Sequence, residues 1–137
     1  MELFLQFVSI NWYWFGIISL LVGTLVLREN RKSGPSVSTV ELTNLINREN
    51  AVVLDIRPEK EFKAGHIVDA INIPFDKFTS RKSELEGRKS DPIIVVCKYG
   101  QQSGGIAKQL RETEFTVSRL RGGMTEWTAS QLPLVKG

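Results

Sequence analysis

Four consecutive β-branched residues, Ile93–Val96, stand between Pro92 and the only cysteine of the chain, Cys97. An unbroken apolar run of this length predicts a strand that is buried on both faces, as strands of a parallel sheet are. Parallel neighbours require crossover connections, which are usually helices. Strand-like segments alternate here with helix-like ones, so the sequence predicts an α/β domain with a parallel sheet flanked by helices on both faces.

The residues after this strand form a short polar loop that leads into a predicted helix. The loop Lys98–Gln102 contains one glycine, Gly100, and Ser103 is placed to cap the amino end of the helix. Open α/β sheets bind their ligands at the carboxyl ends of the strands. Cys97 is therefore expected on a binding rim of the sheet.

A cysteine on such a rim is a candidate nucleophile, because the thiolate is the reactive form. A free thiol with a pKa of about 8.5 is only about 3% ionised near pH 7, and making it mostly thiolate takes roughly 2.7 kcal/mol. A helix amino terminus contributes about 0.3–1 kcal/mol, or about 2 when it is partly buried. Loop N–H groups and the charge of Lys98 would have to supply the rest. The alternative interpretation is an inert core cysteine, which is common for this residue type.

Three segments resemble the signatures of the rhodanese (sulfurtransferase) family. The loop has the active-site pattern of the family: Cys97, a basic residue, a glycine three positions on and a serine at the helix start. The stretch 55–74 contains Asp-x-Arg, Glu-Phe, Gly-His-Ile and Ala-x-Asn-Ile-Pro in that order, and Gly122-Gly123-Met124 followed by Trp127 is the third match. The resemblance implies a rhodanese-like fold over residues 37–137.

The resemblance also implies an activity and a set of site residues. Cys97 would take a sulfane sulfur as a persulfide and pass it to a thiol, cyanide or protein acceptor by covalent double displacement. The residues implied in substrate and persulfide binding are Lys98, Tyr99, Gly100, Gln101, Gln102 and Ser103. Those implied in structural support, through ion pairs, packing and hydrogen bonds, are Asp55, Arg57, Glu61 and His66. The resemblance implies no metal and no organic cofactor.

One loop residue departs from the family pattern. Gln102 stands where rhodaneses often have arginine, whose guanidinium would bind an anionic donor such as thiosulfate through two hydrogen bonds. Gln102 carries no charge, so a protein or small-molecule persulfide is an alternative donor. The same departure favours a second hypothesis, a catalytically weak binding module that docks a partner protein at the membrane. A phosphatase is a third alternative, but related phosphatases have a loop one residue longer.

The amino-terminal segment predicts a membrane span. Leu3–Leu27 contains no charged residue and would reach about 37 Å as a helix, whereas the hydrocarbon core of a bilayer is about 30 Å thick. We interpret residues 1–27 as a transmembrane helix, 28–36 as a linker and 37–137 as the rhodanese-like domain, which resembles the membrane-anchored bacterial type. A cleaved signal peptide would need a basic start and a small-residue cleavage site, which this segment lacks. A core helix of a soluble protein is the remaining alternative.

Charge and cysteine content favour a cytoplasmic position for the domain. Arg28, Arg31 and Lys32 follow the span and no Lys or Arg precedes it, so the positive-inside rule predicts a single-pass inner-membrane protein with its carboxyl-terminal domain in the cytoplasm. A lone cysteine precludes an internal disulfide and agrees with a reducing compartment. One Cys and one His cannot form a structural zinc site. The basic residues are spread among acidic ones, so nucleic-acid binding is not expected, and the oligomeric state stays open.

Local signals predict the remaining elements. Ser38 and Glu41 form a capping box, with Val37 and Leu42 as a hydrophobic staple, so a helix is expected over 39–48. The other expected elements are a strand over 51–55, a short helix from Pro58, a strand over 70–73, a helix or irregular turn over 75–86, a strand over 117–120 and a last helix bearing Trp127.

Overall fold

The computed structural model describes the backbone of all 137 residues and the side chains of residues 1–28 and 34–137. Contacts divide the chain into two compact units, Met1–Lys32 and Ser33–Gly137. The first unit is helical and the second is an α/β domain.

The first unit is formed by helix α1, Glu2–Ser33. Large apolar side chains are exposed along its length. By length and composition, the part Glu2–Arg28 could cross a membrane. The chain therefore contains a helix that fits the predicted span.

Helix α1 continues past Leu27, the last residue of the predicted span, because no glycine or proline lies between Leu27 and Gly34. Within the predicted linker 28–36, the first part is helical and the last residue begins a strand. The side chains of Arg31 and Lys32, which enter the topology prediction, lie outside the described residues.

The second unit is built on a five-stranded sheet in which all strands are parallel. The strands are β1 (Ser36–Val37), β2 (Val52–Asp55), β3 (Ile71–Asn72), β4 (Ile93–Val96) and β5 (Val117–Leu120). The helices are α2 (Thr39–Glu49), α3 (Glu59–Ala64), α4 (Phe78–Arg81), α5 (Ser103–Glu112) and α6 (Gly123–Ala129), with 3₁₀ turns at Phe75–Lys77 and Lys82–Arg88. The strand order is β1-β5-β4-β2-β3, so β4 lies at the centre of the sheet.

Apolar side chains cover both faces of this sheet. Helix α5 packs on one face through Ile106, and α2 and α6 pack on the other through Leu42 and Trp127. Val95 and Val96, which are neighbours on β4, belong to opposite layers, because successive side chains of a strand point to opposite faces. The predicted α/β architecture with helices on both faces is confirmed.

Helix α2 begins with the predicted capping box. The Ser38 N–H donates to Glu41 Oε2 at 2.7 Å, and the Glu41 N–H donates to Ser38 Oγ at 3.2 Å. Val37 and Leu42 pack in the same apolar layer. These contacts fix the start of α2 at the expected residue.

Three other elements differ from the expectations. Strand β1 was not predicted, because two residues are too few to show a periodic pattern. The strand expected over 70–73 is shortened to Ile71–Asn72 ahead of Pro74. The segment expected over 75–86 is neither one helix nor an irregular turn, because α4 lies between two 3₁₀ turns there.

Candidate active site

Strands β2 and β4 bring two of the motif regions to one rim of the sheet. Asp55, the last residue of β2, is paired with Val96, the last residue of β4. Cys97 and Arg57 follow these strands, and both line a cavity of about 270 Å³. The residues lining the cavity are Arg57, Pro58, Glu61, Cys97, Lys98, Tyr99, Gln101 and Gln102. The structure thus gathers the predicted nucleophile and most of its predicted loop around one space.

Cys97 is almost fully buried, with 2% of its surface exposed, but it borders this cavity. Its Sγ accepts a hydrogen bond from the Gly100 N–H at 3.0 Å. Gly100 has a φ of +84°, which favours glycine because a Cβ is strained there. The loop therefore bends back so that one of its amides faces the sulfur.

The sequence predicts that Ser103 caps the amino end of α5. In the structure, Ser103 is instead the first residue of the helix. The cap position belongs to Gln102, whose side chain makes no capping hydrogen bond. The prediction is wrong because the Ser103 hydroxyl turns to the loop: it is fully buried and donates to the Gly100 carbonyl at 3.2 Å. Ser103 thus holds the loop, although it does not cap the helix.

The amino end of α6 binds the start of the loop. The Met124 N–H donates to the Cys97 carbonyl at 2.8 Å, and both the N–H and the Oγ1 of Thr125 donate to the Lys98 carbonyl, at 3.0 and 2.8 Å. Gly123, with a φ of +60°, lies so close to the loop that an added Cβ would be 2.7 Å from the Gly100 N. Sequence reasoning missed Thr125, because it lies 27 residues from Lys98 and belongs to no recognised motif.

Asp55 and Arg57 form a buried ion pair beside the cavity. Arg57 Nη2 lies 2.7 Å from Asp55 Oδ2, and Arg57 Nε and the Arg57 backbone N–H each lie 3.0 Å from Asp55 Oδ1. Arg57 Nη2 also donates to the Gly65 carbonyl at 2.8 Å. The guanidinium therefore ties the end of β2 to the residue after α3, and its charge is matched by the carboxylate.

Lys98 and Glu61 both line the cavity and form an ion pair there. Lys98 Nζ lies 3.8 Å from Glu61 Oε1 and 5.3 Å from the centre of the Tyr99 ring. Both charged side chains are about half exposed, so the pair adds little stability. Both cations that line the cavity, Arg57 and Lys98, thus lie next to a carboxylate, which reduces their pull on an anionic ligand.

His66 lies outside the group of residues that line the cavity. Its ring stacks on Phe62 with 3.8 Å between centroids, and its Nδ1 is 2.8 Å from the Phe62 carbonyl. Its backbone exchanges two hydrogen bonds with Val135. These contacts hold α3 and the carboxyl-terminal segment together. Among the side chains that the structure describes, no group of three or more His, Cys, Asp or Glu residues is placed to hold a metal ion.

Known proteins resemble this chain in sequence and in fold. YibN from Escherichia coli strain K12 is 37% identical over 133 residues, which cover 94% of this chain and 90% of YibN. A rhodanese-related protein from Thermoplasma volcanium has a crystal structure with a TM-score of 0.70 and 25% identity, covering 76% of this chain and 100% of that one. The crystal structure of thiosulfate sulfurtransferase from Pseudomonas aeruginosa has a TM-score of 0.69 and 28% identity, covering 81% of this chain and 22% of that one.

The family model for the rhodanese-like domain matches residues 38–130, which include both strands of the rim, the loop and α6. The match therefore covers every element that contributes to the cavity around Cys97. The chain belongs to the rhodanese-like domain family.

Proposed function

We propose that the chain is a membrane-anchored sulfurtransferase in which Cys97 carries sulfane sulfur from a persulfide donor to a thiol, cyanide or protein acceptor. The observation that carries the proposal is the position of Cys97: its Sγ accepts the Gly100 N–H at 3.0 Å, and the residue borders an open cavity. A hydrogen bond from an amide favours the anionic form of the sulfur that it contacts. The kinship to a thiosulfate sulfurtransferase of the same fold supports the reaction class.

The reaction is a double displacement without net redox change. The Cys97 thiolate attacks the outer sulfur of a persulfide, the donor S–S bond breaks, and the donor leaves as a thiolate. The persulfide on Cys97 is then attacked at its outer sulfur by the acceptor thiolate, the new S–S bond breaks, and the Cys97 thiolate returns. Since the chain has no second cysteine, the acceptor is a separate molecule.

The cellular position that we propose follows from α1 and the charges after it. Glu2–Arg28 has the length and composition of a span, and Arg28 is the first basic residue of the chain. The positive-inside rule then places the amino end outside and the domain in the cytoplasm of a cell with an inner membrane. Donor and acceptor would therefore meet the cavity at the cytoplasmic face of the membrane.

Mass spectrometry of the full chain in detergent tests the proposal. We expect incubation with glutathione persulfide to add the mass of one sulfur atom, because the loop can hold a persulfide on Cys97. A thiol acceptor should remove that sulfur and restore the original mass. In the variant Cys97→Ala, which has no thiol, the adduct should be absent. An unmodified wild-type chain, or an equal adduct on Cys97→Ala, would disprove the role of Cys97.

A second candidate function is the binding module without efficient catalysis. The observation that favours it is the low positive charge of the cavity, since Arg57 and Lys98 both lie beside carboxylates and Gln102 is neutral. Such a module would dock a partner protein at the membrane through the exposed loop residues. A wild-type chain that forms no sulfur adduct but stays folded would support this function over the first.

Gln102 provides a test of donor choice. We expect Gln102→Arg to raise kcat/KM for thiosulfate about 10- to 100-fold, because a hydrogen bond to a charged group contributes about 1.5–3 kcal/mol. Turnover of thiosulfate with cyanide as acceptor, followed as thiocyanate, measures this change. Gln102 is exposed and lines the cavity, so the new guanidinium can reach an anion next to Cys97.

The matched control is Gln109→Arg, the same substitution at an exposed position of α5 outside the cavity lining. It should leave thiosulfate turnover within about twofold of wild type, because salt weakens the effect of an exposed charge that does not line the cavity. Equal gains in both variants would show that total charge matters and that the position of Gln102 does not.

A further inference from the structure

A third cation contacts the loop without lining the cavity. Arg119 lies on β5, and its Nη1 donates to the Gly100 carbonyl at 3.3 Å. It does not line the cavity that contains Cys97. It also lies outside the motifs that point to sulfur transfer. Its contact with the loop therefore has no assigned role in the sulfur transfer proposed above.

Arg119 differs from the other two cations near Cys97 in its partners. Arg57 lies beside Asp55 and Lys98 beside Glu61, whereas no carboxylate forms an ion pair with Arg119 among the side chains at 1–28 and 34–137. Arg119 Nε is buried and has no hydrogen-bond partner there. A partly buried charge without a counterion acts over a longer range than a paired one. Arg119 thus places a positive charge without an ion-pair partner among the described side chains next to the Gly100 carbonyl.

The contact with Gly100 also fixes the direction of a loop amide. The Gly100 carbonyl accepts from Arg119 Nη1 and from Ser103 Oγ. In a planar trans peptide the C=O and the following N–H point in opposite directions. Since the carbonyl faces Arg119, the N–H of Gln101 points away from it, and Gln101 lines the cavity. The preceding amide, that of Gly100, already donates to Cys97 Sγ.

We infer that Arg119 is a positioning residue for the sulfur site: it orients the Gly100–Gln101 peptide and supplies the positive charge that Gln102 does not. This inference rests on the proposed function for its biological meaning. The anion that benefits is the sulfur on Cys97, as a thiolate or as a persulfide. Arg119 acts on it through the peptide and through space, without touching the donor.

Alkylation of Cys97 by iodoacetamide tests the inference on the full chain in detergent, because Cys97 is the only thiol. For Arg119→Met we expect the rate near about pH 7 to fall about five- to tenfold, since one nearby positive charge is lost. Near about pH 10.5 the rates should converge, because ordinary cysteine thiols, with a pKa of about 8.5, are almost fully ionised there. The other titratable groups at the cavity, Arg57, Glu61, Lys98 and Tyr99, are unchanged in this variant.

Two further variants separate charge from packing. Arg119→Lys keeps the charge and should retain at least about half of the wild-type rate. Arg88→Met, which removes an exposed arginine from the 3₁₀ turn Lys82–Arg88, should react like wild type. A wild-type rate for Arg119→Met near pH 7, a deficit that persists at high pH, or an Arg119→Lys variant as slow as Arg119→Met would each overturn the inference.

The alkylation readout does not depend on sulfur transfer. If wild type forms no persulfide adduct, the proposed function fails, while the contrast between Arg119→Met and Arg88→Met still decides whether Arg119 acts on the Cys97 sulfur. If the adduct forms but this contrast is missing, the proposed function stands and the role of Arg119 is disproved.

Discussion

Gly123→Ala should lower the rate of sulfur transfer about 100-fold in a chain that still folds. An alanine Cβ at this position would lie 2.7 Å from the Gly100 N and 2.8 Å from the Lys98 carbonyl, and closer still to the Cys97 carbonyl. The loop would have to move by about 1 Å, and a misplacement of that size can cost about 10²-fold in rate. Persulfide formation on the full chain, followed by mass, measures the loss.

The same substitution should also destabilise the domain. Replacing glycine by alanine at a φ of +60° costs about 1–2 kcal/mol, and overpacking a tight contact costs about 1–3 kcal/mol more. The matched control is Gly105→Ala on the exposed side of α5, where an added Cβ meets nothing within 4 Å. That change should leave transfer intact and stabilise α5 by about 0.5–1 kcal/mol. Normal transfer by Gly123→Ala would mean that the loop tolerates displacement by α6.

Asp55→Ala should cost about 3–5 kcal/mol in the free energy of unfolding, the largest loss of stability that we expect from a single side chain. The side chain of Asp55 is 1% exposed and that of its partner Arg57 is 10% exposed, so removing the Asp55 carboxylate leaves a buried guanidinium without its counterion. Urea denaturation of the full chain in detergent, followed by circular dichroism, measures the change.

Two comparisons identify burial as the cause. Arg81 and Glu84 form an ion pair with the same 2.7 Å separation, but both side chains are well exposed, so Glu84→Ala should have little effect. The double variant Asp55→Ala with Arg57→Met should recover about 1 kcal/mol or more relative to Asp55→Ala alone, because no uncompensated charge remains. Equal losses for Asp55→Ala and Glu84→Ala would contradict the account.

Both predictions concern residues on the rim of the sheet. The sequence predicts the role of Asp55 but not the close contact that Gly123 makes with the loop. Asp55 and Arg57 stand two residues apart in a recognisable motif, so their pairing follows from the resemblance and from local geometry. The Gly122-Gly123 motif indicates a turn, but only the fold shows that Gly123 lies against the carbonyls of Cys97 and Lys98. The reason is that this contact joins segments about 25 residues apart, with helix α5 and strand β5 between them.

The sequence alone determined the α/β class, the positions of the main strands, the capping box of α2, the apolar helix that could span a membrane and the place of Cys97 after a buried strand. Those features depend on periodicity, capping and composition, which act over a few neighbouring residues. Only the tertiary structure decided that Ser103 bonds the loop, that Thr125 and Arg119 hold its carbonyls and that Lys98 faces Glu61. Those contacts arise where the packed sheet and helices bring distant segments together, and no local pattern encodes them.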